Sequence, residues 1–152
     1  MVIKTIPFFN PTKIALSGQA FRIDPIDDTH VELVAYGRYL QIACLGDNKY
    51  AFSCDENDFE EIYYDYFDLG RDYEEIVRTI AENDTYLKDA SEFGYGIRIL
   101  LQERFETLIS FIISQRRSIP AIKTSVDCFK TFGFDAVSIE PTSLQENSLA
   151  NF

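Results

Sequence analysis

The period of the hydrophobic positions changes once, about a third of the way along the chain. In residues 1–54, short apolar runs are separated by Gly, Asn and Asp. Such runs, each bounded by turn residues, are typical of an antiparallel β-sheet meander. The runs 31–36 and 39–45 meet at Gly37-Arg38, which predicts a tight hairpin.

Beyond this point, apolar residues recur every three or four positions, as on one face of an amphipathic helix. Three successive helices are predicted, with inward faces formed by Phe59, Ile62, Tyr63, Tyr66 and Phe67, by Tyr73, Ile76, Val77 and Ile80, and by Tyr86, Leu87 and Ala90. Asp72 is the predicted N-cap of the second helix, and Asn83 or Asp84 that of the third, because their side-chain oxygens can accept from free backbone N–H groups. The aromatic stripes are interpreted as core.

A different kind of helix is predicted from about Glu103 to Ser114, because apolar residues cover most of its circumference. Such a helix must be surrounded by protein. The polar loop Gln115-Arg116-Arg117-Ser118 follows, and a second helix begins at Ser118 with Ile119-Pro120, where proline is tolerated in the first turn. The pattern therefore predicts two arginines at the tip of a helical hairpin.

The charge is unevenly distributed along the chain. In residues 55–92, acidic side chains outnumber basic ones by a margin equal to the whole net charge of -11, so the flanking segments sum to zero. An acidic surface repels a phosphate backbone. We interpret this stretch as a solvated helical surface, with a docking site for a basic protein as the alternative.

The composition limits the class of protein. At 152 residues with 46% hydrophobic side chains, the chain can bury a core, and no apolar run approaches a bilayer span or forms a signal peptide. The cysteines, Cys44, Cys54 and Cys128, are odd in number and widely spaced, which favours a reducing cytoplasm. Because His30 is the only histidine, we expect no metal, no cofactor and no histidine base. A cytoplasmic location and no membrane partner are expected.

Four stretches of the chain match, in order and spacing, the motifs of one known family. They are Ser17-Gly18-Gln19-Ala20-Phe21-Arg22, Tyr66-Phe67-Asp68-Leu69 followed by Asp72-Tyr73, Gly96-Ile97-Arg98-Ile99-Leu100-Leu101-Gln102, and Leu108-Ile109-Ser110-Phe111-Ile112-Ile113-Ser114 with Ile119-Pro120. Together they resemble the 8-oxoguanine DNA glycosylase family over nearly the whole chain, although each is a weak signal alone.

The resemblance implies an α+β fold. Residues 1–95 would form an antiparallel sheet domain, shaped like the TATA-binding-protein repeat, with accompanying helices. Residues 96–152 would form the first helices of a truncated all-α glycosylase domain. In cells of a bacterial host, such a protein would be associated with the nucleoid when bound to DNA.

The resemblance also implies base flipping, in which the damaged nucleotide leaves the stack, a lysine amine attacks the sugar C1′ and an aspartate assists. The glycine matching Gly18 offers its carbonyl to the N7–H group of 8-oxoguanine. The loop matching Gln115, Arg116, Arg117 and Ser118 inserts into the DNA gap beside the orphaned base. The implied partner of the full-length parent is damaged double-stranded DNA.

The sequence departs from the family at two points that bear on function. The inserting loop is usually a run of asparagines, whereas this chain has Arg116-Arg117-Ser118. The helix-hairpin-helix and the catalytic lysine and aspartate have no counterpart, since Lys123 and Lys130 fall too early. We therefore expect the N-terminal part of a base-excision DNA glycosylase/AP lyase, inactive alone and weak in DNA binding.

Two alternatives remain open from the sequence. The arginine-containing loop is compatible with a fragment of an alkylpurine (3-methyladenine) glycosylase, and the acidic helices 57–92 with a non-enzymatic protein-interaction module. Because the apolar helix 103–114 lacks the neighbours that the family provides, self-association through it is also predicted.

Overall fold

The computed structural model describes residues 1–80, 82–116 and 118–131. Within these residues lies a five-stranded antiparallel sheet with the spatial order β1-β5-β4-β3-β2. The strands are β1 (Val2–Thr5), β2 (Ile23–Pro25), β3 (His30–Ala35), β4 (Arg38–Gly46) and β5 (Lys49–Phe52). The helices are α1 (Pro11–Leu16), α2 (Glu56–Asp58), α3 (Tyr64–Tyr66), α4 (Tyr73–Arg78), α5 (Thr85–Phe93), α6 (Arg104–Ser114) and α7 (Ile119–Thr131), with a π-helical turn at Phe59–Tyr63.

The predicted hairpin joins β3 to β4. Ala35 pairs with Arg38, and the two residues between them, Tyr36 and Gly37, have φ values of 50° and 72°. Positive φ at both central residues is the geometry of a type I′ turn, whose twist matches that of the flanking strands. The hairpin prediction is confirmed.

The core lies between one face of the sheet and the helical segment that runs from α2 through the π-helical turn to α3. Alternate residues of β3 point into this core, as do the aromatic residues that the helical period selected. The buried members include Val31, Leu33, Leu40, Ile42, Phe52, Phe59, Tyr63, Tyr66 and Phe67. The inward face predicted from Phe59 to Phe67 is therefore confirmed, with Ile62 partly buried at its edge.

Helix α1 was missed by the prediction of strands and turns for residues 1–54. Asn10 caps it, because its side-chain oxygen accepts from the backbone N–H of Lys13 at 2.9 Å, and Pro11 occupies the first helical position. An Asn-Pro pair is an ordinary helix start. The helix has only six residues, too few for a helical period to be recognised.

The predicted N-caps of the two acidic helices, α4 and α5, are confirmed, but not all of the residues predicted to face inward are buried. Asp72 and Asp84 each accept from a backbone N–H three residues on, at 2.9 Å in both cases. The predicted inward residues of α5 are wrong, since Tyr86, Leu87 and Ala90 are exposed. In the described residues no second layer of protein covers that side, so the apolar side of α5 lies in solvent.

A buried arginine joins three distant parts of the chain. Arg98 is only 3% exposed, and its Nε donates to the carbonyl of Phe8 at 2.8 Å. Its Nη2 donates to Pro7 at 3.0 Å, and its Nη1 to Asp68 at 2.8 Å and Arg71 at 3.3 Å. The guanidinium thus donates to four backbone carbonyls in two loops.

An aromatic ring completes the surroundings of Arg98. The guanidinium carbon lies 4.8 Å from the ring centroid of Tyr73, within cation–π distance. The Tyr73 hydroxyl donates to a carboxylate oxygen of Asp68 at 2.9 Å and accepts from the backbone N–H of Ile99 at 2.9 Å. Burial lowers the pKa of Arg98 from its ordinary value, an effect that Tyr73 and Asp68 oppose.

The segment after Tyr95 is fixed to the sheet domain. Leu100 lies in the same core as the sheet, and the backbone N–H of Leu101 donates to the carbonyl of Tyr66 at 2.9 Å. The predicted division of the chain after residue 95 stays a prediction.

We expect Arg98→Met to lower the free energy of unfolding by at least about 3 kcal/mol, because the substitution leaves buried carbonyls without donors. Chemical denaturation followed by circular dichroism measures this. The control is Arg78→Met, which removes an exposed ion pair with Glu74 and is expected to cost less than about 0.5 kcal/mol. Equal costs for the two variants would contradict the role of Arg98.

Candidate nucleic-acid interface

Gly18 lies at the tip of the turn between α1 and β2. Its φ is +78°, and no heavy atom lies within 4 Å of the position that a Cβ would occupy. Glycine adopts this backbone conformation without the steric cost that other residues incur. The side chain of Ser17 closes α1 by donating to the carbonyl of Ile14 at 2.7 Å. The turn therefore presents exposed backbone in a defined conformation.

The residue after Gly18 fixes the turn in place. The Nε2 group of Gln19 donates to the carbonyl of Arg98 at 2.9 Å, and its Oε1 accepts from the backbone N–H of Leu100 at 3.0 Å. In return, the Nε2 group of Gln102 donates to the carbonyl of Gln19 at 2.6 Å. These bonds join the first and third of the four motifs, and they leave Gly18 open to solvent.

The predicted helical hairpin is confirmed as α6, a loop and α7. Glu103 caps α6 by accepting from the backbone N–H groups of Phe105 and Glu106 at 2.9 and 2.6 Å. At the other end the helix stops at Ser114, because Gln115 is already non-helical with a ψ of 113°, and Arg116 follows with a φ of +60°. Helix α7 begins with a 3.0 Å bond from the backbone N–H of Ile122 to the carbonyl of Ser118.

The predicted inserting residues lie at the tip of this hairpin. Gln115, Arg116 and Ser118 are exposed, whereas Arg117 lies outside the described residues. No hydrogen bond or ion pair among described residues joins Gly18 to the other three. Each of the two candidate contact regions is therefore held by its own neighbours. Their roles in binding DNA stay predictions.

Two ion pairs hold the hairpin against the β2 edge of the sheet. The Nη1 group of Arg22 lies 3.4 Å from Oε2 of Glu106 on α6, and Lys123 on α7 is paired with Asp24 of β2. Burial raises the pKa of Glu106, and Arg22 opposes that rise. The loop between the helices is therefore positioned relative to the Gly18 turn through β2.

The outer face of α6 is apolar and open. Its exposed members are Phe105, Leu108, Phe111 and Ile112, and Phe111 is 64% exposed. Within the described part of the chain this helix is not surrounded by protein, as expected if the neighbours that the family provides are missing. An exposed apolar surface of this kind is typical of an interaction site.

Metal or thiol chemistry has little support in the described residues. No group of three or more His, Cys, Asp or Glu side chains in them could hold a metal ion. Cys44 and Cys54 are free thiols, and burial raises the pKa of both, which disfavours the reactive thiolate. Cys128 lies outside the described side chains.

None of the described helices is long and apolar enough to span a membrane.

The family model for the N-terminal domain of 8-oxoguanine DNA glycosylase matches residues 1–108. That range includes the whole sheet, the Gly18 turn and Arg98. The chain belongs to the 8-oxoguanine DNA glycosylase family. The predicted family and the α+β fold are thus confirmed. The comparison with curated proteins finds no match.

Solved structures of this glycosylase family resemble the chain over most of its length. MBOgg1 in complex with a low-affinity DNA ligand is 42% identical, with a TM-score of 0.72. The 8-oxoguanine glycosylase/lyase of Clostridium acetobutylicum is 35% identical, with TM-scores of 0.73 for the apo form and 0.72 for the complex with dsDNA containing cytosine opposite 8-oxoG. Each comparison covers 80% of this chain but only 42% of the solved chain.

The motifs shared with the glycosylase family are largely structural in this chain. Asp68 and Tyr73 of the second motif and Arg98 of the third meet around one guanidinium, while Gln19 of the first bonds to the third. The structural role of Arg98 was not predicted, although the residue lies in the third motif. An arginine within the apolar run Ile97-Arg98-Ile99-Leu100-Leu101 was the available signal, since a charge in such a run must find buried acceptors.

Two glycine substitutions test whether the backbone is open at Gly18 and crowded at Gly96. Gly18→Ala introduces only backbone strain and is expected to cost about 1–2 kcal/mol of unfolding free energy. Gly96 also has positive φ, but its Cβ would lie 2.7 Å from Cβ and 2.9 Å from the backbone nitrogen of Asn10. Gly96→Ala should cost clearly more, as measured by chemical denaturation. A larger loss for Gly18→Ala would mean that the Gly18 turn is packed rather than open.

Proposed function

We propose that this chain is the N-terminal part of a base-excision DNA glycosylase/AP lyase that flips 8-oxoguanine out of duplex DNA and removes it. The observation that carries the proposal is the Gly18 turn, which is exposed, has positive φ and is fixed by Gln19 within a domain that matches this family. The related Clostridium acetobutylicum enzyme in complex with dsDNA containing cytosine opposite 8-oxoG supports the choice of substrate.

The lesion differs from guanine at an atom that a carbonyl can distinguish. N7 of guanine is a hydrogen-bond acceptor, whereas N7 of 8-oxoguanine carries a hydrogen. A backbone carbonyl at Gly18 accepts from that hydrogen and repels the lone pair of normal guanine. A carbonyl discriminates only if it is held still, and the three hydrogen bonds of Gln19 provide that rigidity.

The hairpin loop supplies the residues that fill the gap left by the flipped base. Arginine side chains stack on bases and donate several hydrogen bonds from one plane, so Arg116 and Arg117 can replace the lost stacking beside the orphaned base. Gln115 and Ser118 at either side are exposed and polar. The net charge of -11 opposes contact with phosphates, so DNA binding by this chain alone is weak.

The reactive amine must come from another part of a longer protein. In the described residues Lys123 is paired with Asp24, and it precedes the position at which the family carries its nucleophile. Lys130 lies outside the described side chains.

We also propose a cytoplasmic location on the bacterial nucleoid, which imaging of a tagged copy would check. Exclusion of the tagged copy from the nucleoid would contradict that proposal.

The 152-residue chain alone is expected to release no 8-oxoguanine and to cleave no strand, because it contains no match to the family's helix-hairpin-helix, lysine or aspartate. Incubation with a duplex that carries 8-oxoguanine opposite cytosine, followed by chromatography of released bases, measures this. Turnover by the purified chain would contradict the assignment of catalysis to another part of the protein.

A chimera tests the substrate directly. Residues 1–131 replace the matching part of the Clostridium acetobutylicum enzyme, and correct folding is checked by thermal melting. The chimera is expected to release 8-oxoguanine. Gly18→Ala keeps the carbonyl but strains the turn at positive φ, so displacement of that carbonyl is expected to lower the preference for 8-oxoguanine over guanine by up to about tenfold, the equivalent of one hydrogen bond. Release of 3-methyladenine instead would support the alkylpurine alternative. Unchanged preference in Gly18→Ala would contradict the role of Gly18.

We also propose that the chain self-associates through the outer face of α6. Burial of its exposed apolar side chains against a second copy gains about 25 cal/mol for each Å2 removed from water. Sedimentation at high concentration should show a dimer that Phe111→Ser dissociates. The matched control is Leu16→Ser, because Leu16 is equally apolar and exposed but lies on α1. A strictly monomeric chain would contradict this proposal.

A further inference from the structure

Helix α5 turns its apolar side toward solvent. Tyr86, Ala90 and Phe93 are spaced four and three residues apart, so they form one stripe along the helix. Tyr86 is 81% exposed and Phe93 is 85% exposed. On the other side of the helix, Lys88 is half-buried and its Nζ donates to the carbonyl of Glu82 at 2.8 Å. The aromatic stripe therefore lies open to solvent.

Helix α5 is capped at its start and joined to α1 at its end. Asp84 caps its start by accepting from the backbone N–H of Leu87 at 2.9 Å. At its other end, Nζ of Lys13 on α1 donates to the carbonyl of Phe93 at 2.8 Å. Rotation of the helix to bury the stripe would break the contact with Lys13. Two large aromatic side chains thus face solvent on a capped helix that a hydrogen bond joins to α1.

The charges around the stripe determine what can cover it. Asp89 lies one turn from both Tyr86 and Phe93, Glu92 is adjacent, and both carboxylates are exposed. DNA is excluded because its phosphates would face these carboxylates. A second copy placed symmetrically on the stripe would bring like charges together. A cationic partner with its own apolar stripe matches both the rings and the charges.

We propose that the α5 stripe docks a basic amphipathic helix of another protein. Leucine-like side chains at i, i+3 and i+7 of that helix pack on Tyr86, Ala90 and Phe93. Lysine or arginine side chains beside them pair with Asp89 and Glu92. This mode of recognition uses apolar anchors for affinity and the surrounding charges for partner choice. The surface is distinct from Gly18 and from the hairpin loop, so it does not depend on the proposed glycosylase activity.

The probe is a synthetic helical peptide with leucine at i, i+3 and i+7 and lysine at the remaining exposed positions. Fluorescence anisotropy measures its binding to the 152-residue chain. Tyr86→Ser combined with Phe93→Ser keeps the net charge and should weaken binding by at least about tenfold. Asp89→Asn combined with Glu92→Gln should weaken it similarly at low salt but little at high salt. Phe111→Ser on α6 is the matched control and should leave binding unchanged.

Four outcomes would overturn the proposal. If the peptide does not bind, or if a version with serine in place of each leucine binds equally well, the stripe is not a docking surface for such a helix. If the Tyr86→Ser and Phe93→Ser variant binds as tightly as the original chain, attraction by net charge alone explains the binding. If that variant instead abolishes a dimer that Phe111→Ser leaves intact, a second copy covers the stripe.

Discussion

The guanidinium of Arg98 is the interaction on which the rest of this structure depends. A buried cation is costly unless its donors are satisfied, and here they are used by the carbonyls of Pro7, Phe8, Asp68 and Arg71. Those carbonyls belong to the loop after β1 and the loop after α3, neither of which has a regular backbone ladder. One side chain therefore determines how the start of the chain, the α2–α3 segment and the approach to α6 are placed together.

The geometry of the candidate DNA-binding residues follows from that arrangement. The backbone around Arg98 and Leu100 offers one carbonyl and one N–H to the side chain of Gln19, which aligns the turn that carries Gly18. The same segment leads through the Glu103 cap into α6 and the hairpin loop. The residues proposed to contact the lesion and the orphaned base are thus built on one scaffold, although they lie far apart in the sequence.

Turn residues and hydrophobic period predicted those elements that depend on residues close together in the chain. The β3–β4 hairpin follows from Gly37, and the face from Phe59 to Phe67 follows from its period. The outward orientation of α5 could not be predicted, because a helical period shows that two faces differ but not which one a neighbour covers. The apolar run around Arg98 signals its burial, but its partners could not be predicted because they are carbonyls in distant loops, which leave no pattern in sequence. Gly18 was found through resemblance to the family, and the structure adds that the turn is open and held.

The surface separates into regions of different chemistry. Arg116 lies at one tip, whereas the excess of acidic residues lies between 55 and 92, on the helices that contain the α5 stripe. The acidic helices therefore have a proposed role of their own, which does not involve the hairpin loop.

The most direct test of the central claim is a crystal structure of the chimera bound to a duplex with 8-oxoguanine opposite cytosine. We predict that the carbonyl oxygen of Gly18 lies about 2.8–3.0 Å from N7 of the flipped base, with Gln19 still bonded to Arg98 and Leu100. A flipped base whose N7 contacts other residues, with the Gly18 turn remote from the lesion, would contradict it.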